Sequence, residues 1–226
     1  MHCCFCATQS VAEQPRLATL HEGFHRTLAA IVGNFNATIG KNVHQIFSLV
    51  FCISYDKGEI SKADLQTSRF SQLFEEIGVS HDACDFNVKY LYELGKGAFL
   101  IEGALEICKK IISAGKKIFI VTNGILATQE SRIKHSLIKD HISDFFVSEF
   151  VGYQKLATEY FEYVFSKISE EKNKFLIIGD SLTADVAGGI NAGIDSCWFN
   201  PGKSENNTKI TPTHEISGLH ELEFFI

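Results

Sequence analysis

The chain lacks any apolar run long enough to cross a bilayer. Its longest, Ile46 to Ser54, falls far short of the ~20 residues a membrane helix needs. It also lacks a basic excess: the formal net charge is -6, which argues against nucleic acid or an anionic membrane surface as a partner. The N-terminal apolar residues have no basic region ahead of them, so no signal peptide is expected. A disulfide framework is missing as well. Seven cysteines, an odd number scattered along the chain, suit reduced thiols in a cytoplasm. There are no internal repeats and no low-complexity tracts.

What is present is enough apolar material for a substantial core. Of 226 residues, 45% are hydrophobic, which allows one large domain or a core with a smaller insert. The cluster His2-Cys3-Cys4-Phe5-Cys6 invites a zinc reading. Its cysteines lack the two-residue gap of a zinc knuckle, and no second ligand pair stands at useful spacing. Core-filling or incidental cysteines are the better account.

From Lys116 onward, strand and helix signals alternate. Ile118 to Thr122 is a β-branched and aromatic run, about Thr128 to Ile138 is helix-compatible, and Phe145 to Ser148 is a second strand candidate. Phe161, Val164, Phe165 and Ile168 then mark one helix face. Phe175 to Ile178 is a third strand, Thr183 to Asn191 a helix, and Ser196 to Phe199 a fourth strand. Ala104 to Ser113 reads as a helix leading into the first strand. Repetition of this kind predicts βαβ units, hence an α/β fold with a doubly wound parallel sheet. A short strand and a last helix through Leu219, Leu222 and Phe225 are expected at the end.

Residues 22–94 read differently. Phe24, Leu28, Ile31 and Val32, then Phe47 and Val50, then Phe70, Leu73, Phe74 and Ile77 recur at helical spacing. This predicts a separate helical block that rejoins the sheet near Gly95 and Gly97. The expected division is an atypical segment at 1–21 standing at the position of the first core strand, a helical insert at 22–94 and an α/β core at 95–226. Phe47, Phe51 and Tyr55 are candidates for stacking on a base, although their spacing favours core packing.

Three features fall at the carboxyl ends of successive strands, where open α/β sheets bind ligands. Thr122, Asn123 and Gly124 offer a hydroxyl and backbone donors. Lys155, in Gly152-Tyr-Gln-Lys155, offers a compact positive charge. Asp180 ends the third strand, and Asp185 begins the following helix. Two carboxylates at this spacing suit Mg²⁺, a hard cation that prefers oxygen. Together the set suits a phosphate group. The simpler alternative has Asp180 starting a turn and Asp185 complementing the helix N-terminus.

The chain resembles the haloacid dehalogenase superfamily, through Phe119-Ile-Val-Thr-Asn-Gly124, Gly152 to Lys155 and Ile177 to Gly193, in order and at suitable separations. The wording of these segments and of Pro212 to Glu223 is most similar to the nucleoside 5′-monophosphatase branch. The resemblance covers roughly residues 22–226. It implies a Rossmann-like core with an inserted helical cap at 22–94, and a Mg²⁺-dependent phosphomonoesterase acting on a small phosphorylated metabolite such as a nucleoside 5′-monophosphate. It implies that Thr122, Asn123, Gly124 and Lys155 bind the phosphoryl group, that Asp180 ligates Mg²⁺, and that Asp185 supports the metal or the lysine.

The family's first motif, Asp-x-Asp-x-Thr with a nucleophilic first aspartate, has no counterpart. No aspartate precedes Asp56, and the only earlier carboxylates are Glu13 and Glu22. Counting back from His25 to Leu28, the nucleophile position falls near Thr8 and the acid position near Ser10. A hydroxyl without an adjacent base is a poor nucleophile. The expectation is an inactive chain of phosphatase lineage, with a catalytically silent phosphate-ligand-binding protein as the alternative. The abrupt change of character near Glu22 favours a displaced start over a degenerate relative. Leu156, where the family usually has proline after the lysine, is a smaller departure.

Overall fold

A computed structural model describes residues 2–6, 54 and 59–226. The chain falls into two compact units, Met1–Ala12 with Leu100–Ile226, and Glu13–Phe99.

The first unit is built on a six-stranded sheet. In chain order its elements are β1 (His2–Cys6), α3 (Ala104–Ser113), β2 (Ile118–Thr122), α4 (Leu126–His135), β3 (Asp144–Val147), a short α5 (Ser148–Val151), α6 (Thr158–Lys167), β4 (Phe175–Gly179), α7 (Ala187–Ala192), β5 (Asp195–Phe199) and β6 (His214–Ile216). The strand order is β3-β2-β1-β4-β5-β6, and every neighbouring pair is parallel. Strands β2 and β4 are buried along their whole length, as a parallel sheet covered on both faces requires.

Alternation of side chains divides the core into two layers. Phe119, Val121, Phe175 and Ile177 pack under Tyr160, Phe161 and Val164 of α6 and Ala192 of α7. On the other face, Ile118, Leu176, Ile178 and Cys197 meet Ile107 and Ile111 of α3, with Leu219 and Leu222 of the terminal 3₁₀ turns. The doubly wound α/β architecture expected from the alternating pattern is therefore present. Strand β1 occupies the centre: Cys6 pairs with Val121 on one side and Phe5 with Ile178 on the other.

Local differences from the sequence reading have local causes. The helix expected from Thr183 opens as a π-type turn over Leu182–Val186 before α7 begins. Ser181 causes this, because its carbonyl accepts from both Asp185 N–H and Val186 N–H. The terminal helix is a 3₁₀ segment, Leu219–Phe225.

In the second unit, α1 (Lys62–Glu76) and α2 (Ala83–Lys96) pack together. Ser61 and Asp64 start α1 with a reciprocal capping box, each side chain accepting from the other's backbone N–H at 3.1 Å. Asp82 caps α2 through Asp85 N–H at 2.7 Å. Phe70, Leu73 and Phe74 then meet Phe86, Tyr90 and Leu94 in one buried cluster. The expected positions Phe24, Leu28, Ile31, Val32, Phe47, Val50, Phe51 and Tyr55 lie outside the described residues. Among the described residues, no helix is long and apolar enough to cross a membrane.

Candidate functional site

The carboxyl ends of β2 and β4 flank the end of β1. Thr122 closes β2, buried to 1% exposure. Its hydroxyl oxygen accepts from Gly124 N–H at 3.1 Å, which folds the chain back over the strand end. Tyr160 supports the turn from below: its hydroxyl accepts from Thr122 N–H at 3.2 Å and donates to Phe146 O at 2.7 Å. One phenol thus ties β2 to β3 at the edge where the site begins. Gly124 is required here, since a Cβ would stand 2.7 Å from Gln129 Cγ.

Lys155 lies in the segment between Gly152 and α6. Its backbone N–H donates to Asn123 Oδ1 at 2.7 Å, which latches this segment to the β2 turn. Its Nζ forms an ion pair with Asp185 Oδ1, and both side chains are fully buried. The other carboxylate oxygen, Asp185 Oδ2, accepts from Ser181 N–H at 3.0 Å. Burial of two charges is tolerated only when they are paired and hydrogen-bonded in this way.

Close backbone approach makes the pair possible. A Cβ on Gly179 would fall 2.5 Å from Asp185 Cβ, and one on Gly188 would fall 2.7 Å from Lys155 O. The residue after the lysine also has its own anchor. Leu156 O accepts from Asn191 Nδ2 at 3.1 Å, so the segment is held without proline.

Asp180 follows β4 and is half-buried. Its backbone carbonyl accepts from Trp198 Nε1 at 3.1 Å. The sequence reading left Asp185 two roles, a cation shared with Asp180 or support of the lysine. The geometry directs Asp185 to Lys155 and Ser181. Among the described residues, no three His, Cys, Asp or Glu side chains gather as a metal cluster. A carboxylate at the end of β4 has the oxygen-donor chemistry of a hard-cation ligand. Thr8 and Ser10, the counted nucleophile and acid positions, lie outside the described residues.

The sequence reading missed Tyr160 and Ser181. Tyr160 sits on the apolar face of α6, where a tyrosine is read as core unless its hydroxyl partner is known. Ser181 carried a usable signal: it is the N-cap residue, with its Oγ accepting from Ala184 N–H at 3.1 Å.

This ordering of β2 turn, lysine segment and aspartate turn around a central parallel strand defines a hydrolase class. The family model for haloacid dehalogenase-like hydrolases matches residues 18–193, and the chain belongs to that family. It is similar to the HAD-hydrolase YfnB of Bacillus subtilis, 40% identical over 75% of this chain and 72% of the relative. A crystal structure of YfnB bound to magnesium superposes with a TM-score of 0.89 at 32% identity, covering 99% of this chain and 97% of that one. The pyrimidine 5′-nucleotidase PynA of Streptococcus pneumoniae is 36% identical over 73% of this chain and 70% of its own length. YjjG of Escherichia coli, also a pyrimidine 5′-nucleotidase, is 31% identical over 76% and 75%.

Proposed function

We propose that this chain is a phosphatase-lineage protein that binds a small phosphorylated metabolite of the nucleoside 5′-monophosphate class and does not hydrolyse it. The observation that carries this reading is the continuous contact chain from Thr122 and Gly124 through Asn123 to Lys155 and Asp185. Thr122 Oγ1 and the Asn123 and Gly124 backbone would receive phosphate oxygens, with Lys155 opposing their charge. In this reading residues 22–94 are the helical cap of the lineage and residues 95–226 its core. The pyrimidine 5′-nucleotidase relatives support the substrate class.

Asp180 would hold Mg²⁺, which when bound neutralises charge on phosphate oxygens. Affinity should be low, because the cation dehydrates reluctantly and Asp185 is engaged by Lys155. Calorimetry with Mg²⁺ on wild type and Asp180→Asn tests this; submicromolar binding, or equal binding by both, counts against it.

Turnover fails for want of a nucleophile. In-line attack on phosphorus needs an anionic oxygen held close to the phosphate, and no aspartate precedes Asp56. Phosphate release from p-nitrophenyl phosphate and a panel of nucleoside monophosphates is the assay. The wild type should release none, while calorimetry should show nucleoside monophosphate binding that Thr122→Val weakens. Robust Mg²⁺-dependent turnover abolished by Asp180→Ala overturns the proposal. A graft ending the first strand in Asp-x-Asp-x-Thr, with its first Asp at position 8, should gain activity. A folded but inert graft counts against a phosphatase lineage that lacks only its nucleophile and favours the alternative, a catalytically silent phosphate-ligand-binding protein.

A further inference from the structure

The second unit buries a cation for which no described residue provides a counter-charge. Arg69 of α1 is 6% exposed, yet no ion pair among the described residues includes it. Its Nη2 donates to Asn87 Oδ1 of α2 at 3.2 Å, and Asn87 is itself 6% exposed. Its Nε is buried and has no hydrogen-bond partner. The guanidinium carbon stands 4.5 Å from the Phe70 ring centroid and 5.2 Å from that of Tyr90.

These neighbours hold the group without neutralising it. Aromatic rings attract a guanidinium through their quadrupole, but supply no acceptor for its N–H groups. Asn87 spends its acceptor on Nη2 and retains its own amide donors. The described neighbours thus present donors beside a fixed positive charge, with one buried N–H unsatisfied. A buried charge left this way is costly, and an oxyanion, which has acceptors only, is the chemical complement.

We propose that Arg69 and Asn87 form a binding site for a small oxyanion, a carboxylate or phosphate group, in the helical unit. Phe70 and Tyr90, both fully buried, keep the guanidinium plane oriented. Arg69 Nε–H and Asn87 Nδ2 would donate to the anion's oxygens.

The chain has four arginines, Arg16, Arg26, Arg69 and Arg132, so the Nε–H signals of ¹⁵N-labelled full-length protein can be assigned individually. Inorganic phosphate and acetate are titrated separately at constant ionic strength, which distinguishes the two oxyanion sources. The Arg69 Nε–H resonance should shift saturably with at least one of them, while Arg132 should show no saturable response. Asn87→Asp supplies the missing counter-charge from within. It should weaken the apparent anion affinity tenfold or more and raise the unfolding temperature measured without anion. An Arg69 signal unmoved by both anions through millimolar concentrations, or moving only in parallel with Arg132, overturns the proposal. So does an Asn87→Asp variant that keeps the wild-type anion response.

Discussion

Two buried cations in this chain are treated in opposite ways. Lys155 meets Asp185, and neither side chain has any solvent exposure. Arg69 meets two aromatic rings and an amide. The first charge is cancelled within the fold, and its partner is held in turn by Ser181 N–H. The second keeps its full charge. A paired cation becomes part of the architecture, because removing either partner strands the other; an unpaired one is available to a ligand.

The largest expected effect breaks the paired side of this comparison. Asp185→Ala strands Lys155 and should cost ~3–5 kcal/mol of unfolding free energy, measured by denaturant titration. Lys155→Met combined with Asp185→Leu should recover most of that loss, since two apolar residues replace the pair. A cost for Asp185→Ala at the level of an exposed pair, under ~1 kcal/mol, would mean that water reaches the site.

Next in size are two changes that support the pair indirectly. Gly179→Ala places a Cβ 2.5 Å from Asp185 Cβ and should destabilise by ~1–3 kcal/mol through overpacking. Tyr160→Phe leaves Thr122 N–H and Phe146 O without their shared partner. Its cost should be ~1 kcal/mol per lost hydrogen bond, with weaker phosphate binding. Unchanged binding in Tyr160→Phe would show that the β2 turn holds its shape unaided.

Arg69→Met should behave unlike the removal of a paired charge. It forfeits a cation–π contact and one hydrogen bond but relieves an unmatched buried charge, so stability should change by no more than ~1 kcal/mol. A loss as large as that of Asp185→Ala would erase the distinction between the two cations.

The smallest effect concerns acid. Glu221 accepts from Gly218 N–H, then from Ser217 N–H and its hydroxyl, and these bonds hold its carboxyl below the ordinary range. A group whose folded pKa is depressed stabilises above its unfolded pKa, about 4.3, and loses that contribution as pH falls through the folded value. Glu221→Gln should therefore flatten the acid limb of the stability–pH curve slightly. An unchanged slope would show that these bonds are too solvent-exposed to matter.

Much of the sheet could be read in advance because parallel strands buried on both faces appear as short apolar runs. Ile118 to Thr122 and Phe175 to Gly179 are both of this kind. Helix α6 showed its buried face by spacing. The candidate site residues Thr122, Asn123, Gly124, Lys155, Asp180 and Asp185 could be picked out as strand-end punctuation. For Asp185 the sequence left open a cation shared with Asp180 or support of the lysine, and the π-type turn at Leu182–Val186 and the glycine at 179 bring it to Lys155. His2 to Cys6 carried no strand pattern distinct from an incidental cysteine run, although residues 1–21 stood at the position expected for the first core strand, and its backbone pairs with β2 and β4. Arg69 drew no attention, because an arginine beside phenylalanine in an amphipathic helix is ordinarily a solvated residue.

By itself the sequence determined the alternation of strands and helices, the position of each phosphate-binding candidate at a strand end, and the absence of an aspartate before Asp56. Those are properties of local pattern and composition, legible wherever hydrophobic period and turn chemistry agree. Tertiary structure decided which charges meet. Asp185 is 30 positions from Lys155, and Arg69 is 18 from Asn87, so neither pairing has a local signature. Burial removes the water that would otherwise screen these groups, and only the packed fold sets which charge is matched and which is left to bind.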